Sequence, residues 1–138
     1  MRKFIIFFLG FITFSFAKPV IELKNPWVRA VPPTSKNTAL FLTIENKGDE
    51  EDILLSVKTD TAKMVMIHET VNENGIMKMK HVHHLKIPPK SVVKLEPGGL
   101  HIMVMGLKKP LKEGDKVRFT LIFKKTGKIT ISAPVLRK

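Results

Sequence analysis

Turn-forming residues cut this chain into short segments, and no segment keeps a helical period long enough to make a stable helix. The breaks are Pro32-Pro33, Asn46-Lys47-Gly48-Asp49, Asn72-Glu73-Asn74-Gly75, Pro88-Pro89, Pro97-Gly98-Gly99, Glu113-Gly114-Asp115 and Thr126-Gly127. Between them lie runs rich in Val, Ile, Leu, Thr and Phe, which predict strands over 20–24, 27–31, 38–46, 53–59, 63–71, 76–83, 91–96, 101–107, 116–124 and 128–134. In Val117-Arg118-Phe119-Thr120-Leu121-Ile122-Phe123 every second side chain is apolar, so one face of that strand turns to a core. Leu40, Leu42 and Ile44 share a face in the same way, with Phe41 on the other. Many short strands at spacings near ten residues (a rough figure) give an all-β antiparallel sandwich or barrel. No linker, repeat or low-complexity tract divides it, so the reading is a single domain.

The first seventeen residues are set apart. Arg2 and Lys3 precede an apolar run from Phe4 to Phe16, and Ser15-Phe16-Ala17 supplies the small-x-small pattern of a cleavage site. That run is shorter than the ~20 residues a helix needs to cross a bilayer. Residues 1–17 are therefore expected to be a cleavable signal peptide, with an uncleaved anchor as the alternative, and residues 18–138 the domain, delivered to the periplasm. The chain has no cysteine. Lipoprotein processing of this signal thus has no residue to act on, and neither disulfides nor thiolate ligands are available. The net charge is +12. Export argues against nucleic acid, and lysines such as Lys36, Lys58, Lys86 and Lys112 are scattered as on a solvated surface. The charge better suits an acidic partner or an anionic membrane surface.

The methionines carry the chemistry. Apart from the initiator they are Met64, Met66, Met77, Met79, Met103 and Met105, three i, i+2 pairs on three predicted strands. Each pair projects to one face. His68 extends the first pair on its face, and His101 precedes Met103 and Met105 on theirs, away from the apolar face of Leu100, Ile102 and Val104. Between the first two strands the turn decides the register. A four-residue loop at Asn72–Gly75 puts Met79 opposite His68, while a two-residue Asn74-Gly75 turn puts His81 there and Met79 diagonally across. Both leave His68 and Met79 on one face.

Two imidazoles and two thioethers make a soft, neutral ligand set, better matched to copper(I) than to zinc, calcium or magnesium. Thioethers need lose no proton and cannot be oxidised to a disulfide. Four side-chain ligands leave no open position for a substrate, which suits a carrier rather than a catalyst. Methionine is also a common core filler, so packing stays open as a reading, above all for Met64, Met66 and Met105. Trp27 is expected in the core or as a lid. No nucleophile–base pair, paired carboxylates or phosphate loop stands out, so an enzyme with a small-molecule substrate is not expected.

These residues resemble the periplasmic copper chaperones called PCu(A)C, whose signature is His, ten residues, Met, twenty-one residues, then His-x-Met. Here His68 is followed by ten residues and Met79, then by twenty-one residues and His101-Ile102-Met103. Asn25-Pro26-Trp27-Val28-Arg29-Ala30, His68-Glu69-Thr70, Gly75-Ile76-Met77-Lys78-Met79, Pro97-Gly98-Gly99 and Met105-Gly106-Leu107-Lys108 are similar too, so the resemblance covers nearly all of the domain. It implies a cupredoxin-like Greek-key β-sandwich holding copper(I) on His68, Met79, His101 and Met103. It also implies delivery towards the CuA subunit of cytochrome c oxidase or a Sco-type protein. The chain is expected to act as a monomer. Copper storage or resistance, or a metal-free envelope module, are the competing readings.

This chain departs from that pattern in three ways. Glu69 stands where some members have Met, no His/Met-rich tail precedes Lys138, and His81-Val82-His83-His84 follows Met79. That cluster, with Met77 beside it, is a candidate accessory site for copper(II), set against a plain polar strand end.

Overall fold

The computed structural model describes residues 17–138, so the leader read over 1–17 lies outside the described residues except for Ala17. Ten strands follow in order: β1 Ile21–Arg29, β2 Asn37–Asn46, β3 Asp52–Lys58, β4 Ala62–Glu73, β5 Ile76–His81, β6 Leu85–Ile87, β7 Ser91–Leu95, β8 Leu100–Leu107, β9 Lys116–Phe123 and β10 Gly127–Leu136. No helix occurs among the described residues. Hydrogen bonding runs β5-β4-β8-β2-β1-β10-β9-β3-β6, with β7 also on β2. The two β1–β10 pairs are parallel, and every other pairing is antiparallel.

The continuous sheet closes into a sandwich because its two halves have apolar faces to bury. Leu40, Ile44, Ile102 and Val104 from the β4-β8-β2 side meet Leu54, Phe119, Leu121 and Val135 from the β10-β9-β3 side in one core. Each such side chain contributes roughly 1.5–3 kcal/mol when fully buried. The alternation in β9 is as expected, with Val117, Phe119, Leu121 and Phe123 all buried. The all-β sandwich is therefore as predicted, with two local differences. The expected strands 20–24 and 27–31 are one strand, β1, bent at a register shift between Lys24 and Trp27 where Asn25 takes φ 51°. A short strand, β6, stands where a loop was expected, formed by pairing with β3.

Two local features position the candidate site. At the β4–β5 hairpin, Glu73 pairs with Ile76, and Asn74 and Gly75 both have positive φ, 54° and 83°. This is a two-residue type I′ turn, and of the two candidate registers it selects the one with His81 opposite His68. On β2, Leu42 pairs with Leu95 of β7 and Leu40 with Ile102 of β8, so residues 96–101 stand opposite Phe41 alone. The surplus chain loops out at Pro97-Gly98-Gly99, where Gly98 has φ 88°, over the outer face of β2. Phe41, on that outer face, is consequently buried as deeply as the core residues beside it.

Candidate metal centre

Side chains of β4, β8 and β5 on the outer face of the sandwich form cross-strand rows. His101 of β8 pairs with His68 of β4, which pairs in turn with His81 of β5. One row along, Ala39, Met103 and Met66 line up across β2, β8 and β4, and beyond them Asn37, Met105 and Met64. On the other side of the histidine row, Met79 stands opposite Thr70. Histidines 33 residues apart in sequence thus become direct neighbours through the β4–β8 pairing.

His101 is buried, at 5 % exposure, and His68 is half-buried. Their ring centres are 5.9 Å apart. An imidazole nitrogen lies about 1.2 Å from its ring centre and a metal about 2.0 Å beyond it, so two rings on one ion can have centres up to ~6.4 Å apart. The observed spacing falls inside that limit.

The hydrogen bonding is incomplete in an informative way. His101 Nδ1 lies 2.9 Å from the Gly99 carbonyl and donates to it, which leaves Nε2 as the nitrogen with the lone pair. That Nε2 is buried and without a partner, and so is Nδ1 of His68. Buried polar atoms are nearly always paired, and two orphaned nitrogens on facing rings mark a place where something else binds. Burial, followed by the charges of His101 and then His81, holds the His68 imidazole below its usual pKa, so the ring is neutral and able to ligate at neutral pH.

Beside this pair is a cavity of about 260 Å³ bordered by Met79, His101, Met103, Phe41, Ala39 and Arg29. The small Ala39, opposite Met103, leaves the space open. Met79 is 61 % exposed and stands at the rim, diagonal to His68. Among the described residues bordering the cavity there is no carboxylate, and the one formally charged group is the Arg29 guanidinium, 5.1 Å from the Phe41 ring centre. With no anionic ligand to offset the charge of an ion, such a setting favours a soft monovalent cation over a hard divalent one. Among the described residues no three His, Asp or Glu side chains converge on a common ion position.

The β4–β8 and β4–β5 pairings therefore bring His68, His101, Met103 and Met79 to one place. The accessory residues are not gathered so well. His81 and His83 are in contact, with ring centres 4.1 Å apart, but His84 makes no ring contact with them. Met77 stands opposite Asn72, four residues from His81 and so ~13 Å along the strand. Met64, expected to pack, is 54 % exposed, because among the described residues no second layer covers it on the outer face of β4. Trp27 stacks on Phe41 at 4.7 Å, but it borders a separate groove with Lys138 and does not cover the cavity. Sequence reasoning missed Arg29, Ala39 and the Gly99 carbonyl. The one available hint was Phe41, an aromatic on the wrong face of its strand.

The comparisons agree with this fold. Residues 21–135 match the family model described as "Putative lipoprotein LpqE-like". A Leifsonia xyli protein named "Putative lipoprotein Lxx21020" is 35 % identical over 116 residues, covering 83 % of this chain and 69 % of that protein. Among solved structures, the copper-bound PCuAC domain from PmoF2 superposes with a TM-score of 0.74 at 28 % identity, over 86 % of this chain and 93 % of that one. The CuI form of DR1885 from Deinococcus radiodurans gives 0.71 at 35 % identity, over 90 % and 83 %. By its match from residue 21 to residue 135, this chain belongs to the LpqE-like family, and it shares the β fold of the PCuAC domains.

Proposed function

We propose that this protein is an exported carrier of one copper(I) ion, bound by His68, His101, Met103 and Met79 and passed to a recipient protein. The observation that supports it most is the pair of buried, unpartnered nitrogens, His68 Nδ1 and His101 Nε2, beside the Met103 thioether. In this reading the imidazoles form the fixed inner wall. Met79, on an exposed edge strand, is the ligand that swings, so that the ion is released by ligand exchange at the surface. That PCuAC domains of similar fold are described as copper-bound and as CuI-bound supports the choice of metal. Export is supported by the leader-like residues 1–17 and by the lipoprotein name of the Leifsonia relative, and the periplasm is the compartment we propose.

The recipient we propose is the CuA subunit of cytochrome c oxidase or a Sco-type protein, with the carrier acting as a monomer. Storage or resistance uses the same ligands and differs only in lacking a dedicated acceptor. A metal-free envelope module would have no affinity for copper(I) at all.

The test is a copper(I) titration of the chain lacking residues 1–17 against a chromophoric chelator of known affinity, beside His101→Ala/Met103→Ala. The expected result is one tightly held equivalent that falls by at least ~10³-fold in affinity in the variant, about 4 kcal/mol. Equal, weak binding by both proteins would remove the metal reading. Transfer to an apo CuA domain but not to an unrelated apo copper protein is expected of a carrier; indifference between them would leave storage.

A further inference from the structure

Beyond the inner centre, the histidine row continues outward. His101 and His68 are 5.9 Å apart, His68 and His81 are again 5.9 Å apart, and His81 and His83 are 4.1 Å apart. Exposure rises along this row, from buried His101 through half-buried His68 to exposed His81 and His83. The register explains the spacing. Val82 donates to the Ile67 carbonyl at 2.8 Å, so the neighbouring His68–His81 pair is of the closer, non-hydrogen-bonded kind. After His81 the strand ends, and the chain bends at His83 and His84, which folds the His83 ring onto that of His81. A regular strand would hold such i, i+2 rings nearly 7 Å apart. The bend therefore makes the pair.

We propose that His81 and His83 form a second, outer metal site, selective for copper(II), one strand away from the copper(I) centre. The choice of ion follows from the ligands. Among the described residues neither ring has a salt-bridge or hydrogen-bond partner, so both can turn a nitrogen toward an ion. Two rings 4.1 Å apart lie well inside the ~6.4 Å that one ion can span. Imidazole is a strong donor to copper(II), whose tetragonal geometry takes two nitrogens with water in the remaining positions. One thioether, Met66 of β4, borders the groove with the three imidazoles, and Met79 and Met77 stand two and four residues back along β5, so imidazole nitrogen outnumbers thioether sulfur among the described residues there. The groove of about 360 Å³ bordered by His81, His83 and His84 opens to water, which can supply the other ligands. His68 faces both the inner and the outer position, so the two sites are adjacent through a shared wall rather than independent patches. The proposal rests on the copper reading above only for the identity of the metal.

The experiment is a copper(II) titration of the chain lacking residues 1–17, followed by continuous-wave and pulsed electron paramagnetic resonance. Copper(I) is silent in it, so only bound copper(II) is read, and the variants below assign it to a site. One equivalent with an axial spectrum and modulation from two imidazoles is expected. His81→Ala/His83→Ala should weaken copper(II) binding at least tenfold while leaving copper(I) affinity within twofold. Met79→Leu/Met103→Leu should do the reverse, and His84→Ala should change neither. Because His81 and His83 are exposed, their replacement does not threaten the fold. Copper(II) binding that survives in His81→Ala/His83→Ala, that disappears in Met79→Leu/Met103→Leu, or that is absent from the parent protein would overturn the proposal. A failure of copper(I) binding with the outer signal intact would instead remove the inner-site reading.

Discussion

Two polar clusters are buried in this sandwich, and they are built on opposite terms. At one, Asp52 is fully inaccessible and its carboxylate is saturated. It accepts from the backbone N–H groups of Ile53, Lys125 and Thr126 and from the Thr126 hydroxyl. Asn46 beside it is equally complete, accepting from Val20 and Gly48 and donating to the carbonyls of Glu50 and Ile87. At the other, His101 and His68 bury a nitrogen each with nothing to bind. The saturated cluster joins β3 to the β9–β10 turn and has no capacity left for a ligand. The unsaturated one has capacity and no internal use for it. Burial alone does not mark a site; burial with donor capacity left over does.

Breaking the closed cluster should have the largest effect. Asp52→Ala leaves three backbone donors and a hydroxyl without their acceptor, and is expected to cost about 3 kcal/mol by urea unfolding. Copper(I) affinity measured on the folded protein should stay within twofold. A comparable loss of affinity would mean that the two clusters are coupled.

The open cluster should answer in the opposite sense. Met103→Leu is close to volume-conserving and should change stability by less than ~1.5 kcal/mol. It removes a soft donor and is expected to lower copper(I) affinity about tenfold in chelator competition, ~1.4 kcal/mol. A stability loss with unchanged affinity would turn Met103 into a packing residue.

The smallest effect separates the clusters by pH in the apo protein. Burial opposes the Asp52 charge, but its four hydrogen bonds prevail and hold its pKa below the usual value. Its contribution is therefore present above the unfolded carboxylate range and is lost as pH falls through the folded value. His68 is held low by burial first and by His101 and His81 next. As pH falls below ~6.5, the unfolded chain takes up a proton that folded His68 resists, and stability drops. Urea midpoints at pH 7.5 and 5.5 should fall less for His68→Gln than for the parent. Equal falls in both would show that His68 is not the group responsible.

Much of the β architecture was legible because strand alternation and turn residues are local signals. Nine of the ten strands overlap predicted segments, and the β4–β5 register was one of two candidates. β6 was missed because three residues between His84 and Pro88 are too few to show alternation, and only pairing with β3 makes them a strand. Met64 was misjudged for a related reason. Periodicity says which residues share a face, but not whether a second layer covers it.

The sequence by itself determined which histidines and methionines are the candidate ligands, their spacing and the face each occupies, since side-chain direction along a strand follows from the covalent geometry of the backbone. Only the tertiary structure decided that β4 lies between β5 and β8, and so that His68 sits between His81 and His101. It alone placed the Gly99 carbonyl to fix one nitrogen of His101 and leave the other free. Which strands become neighbours depends on how the whole chain buries its apolar faces at once, and no local run of residues encodes that.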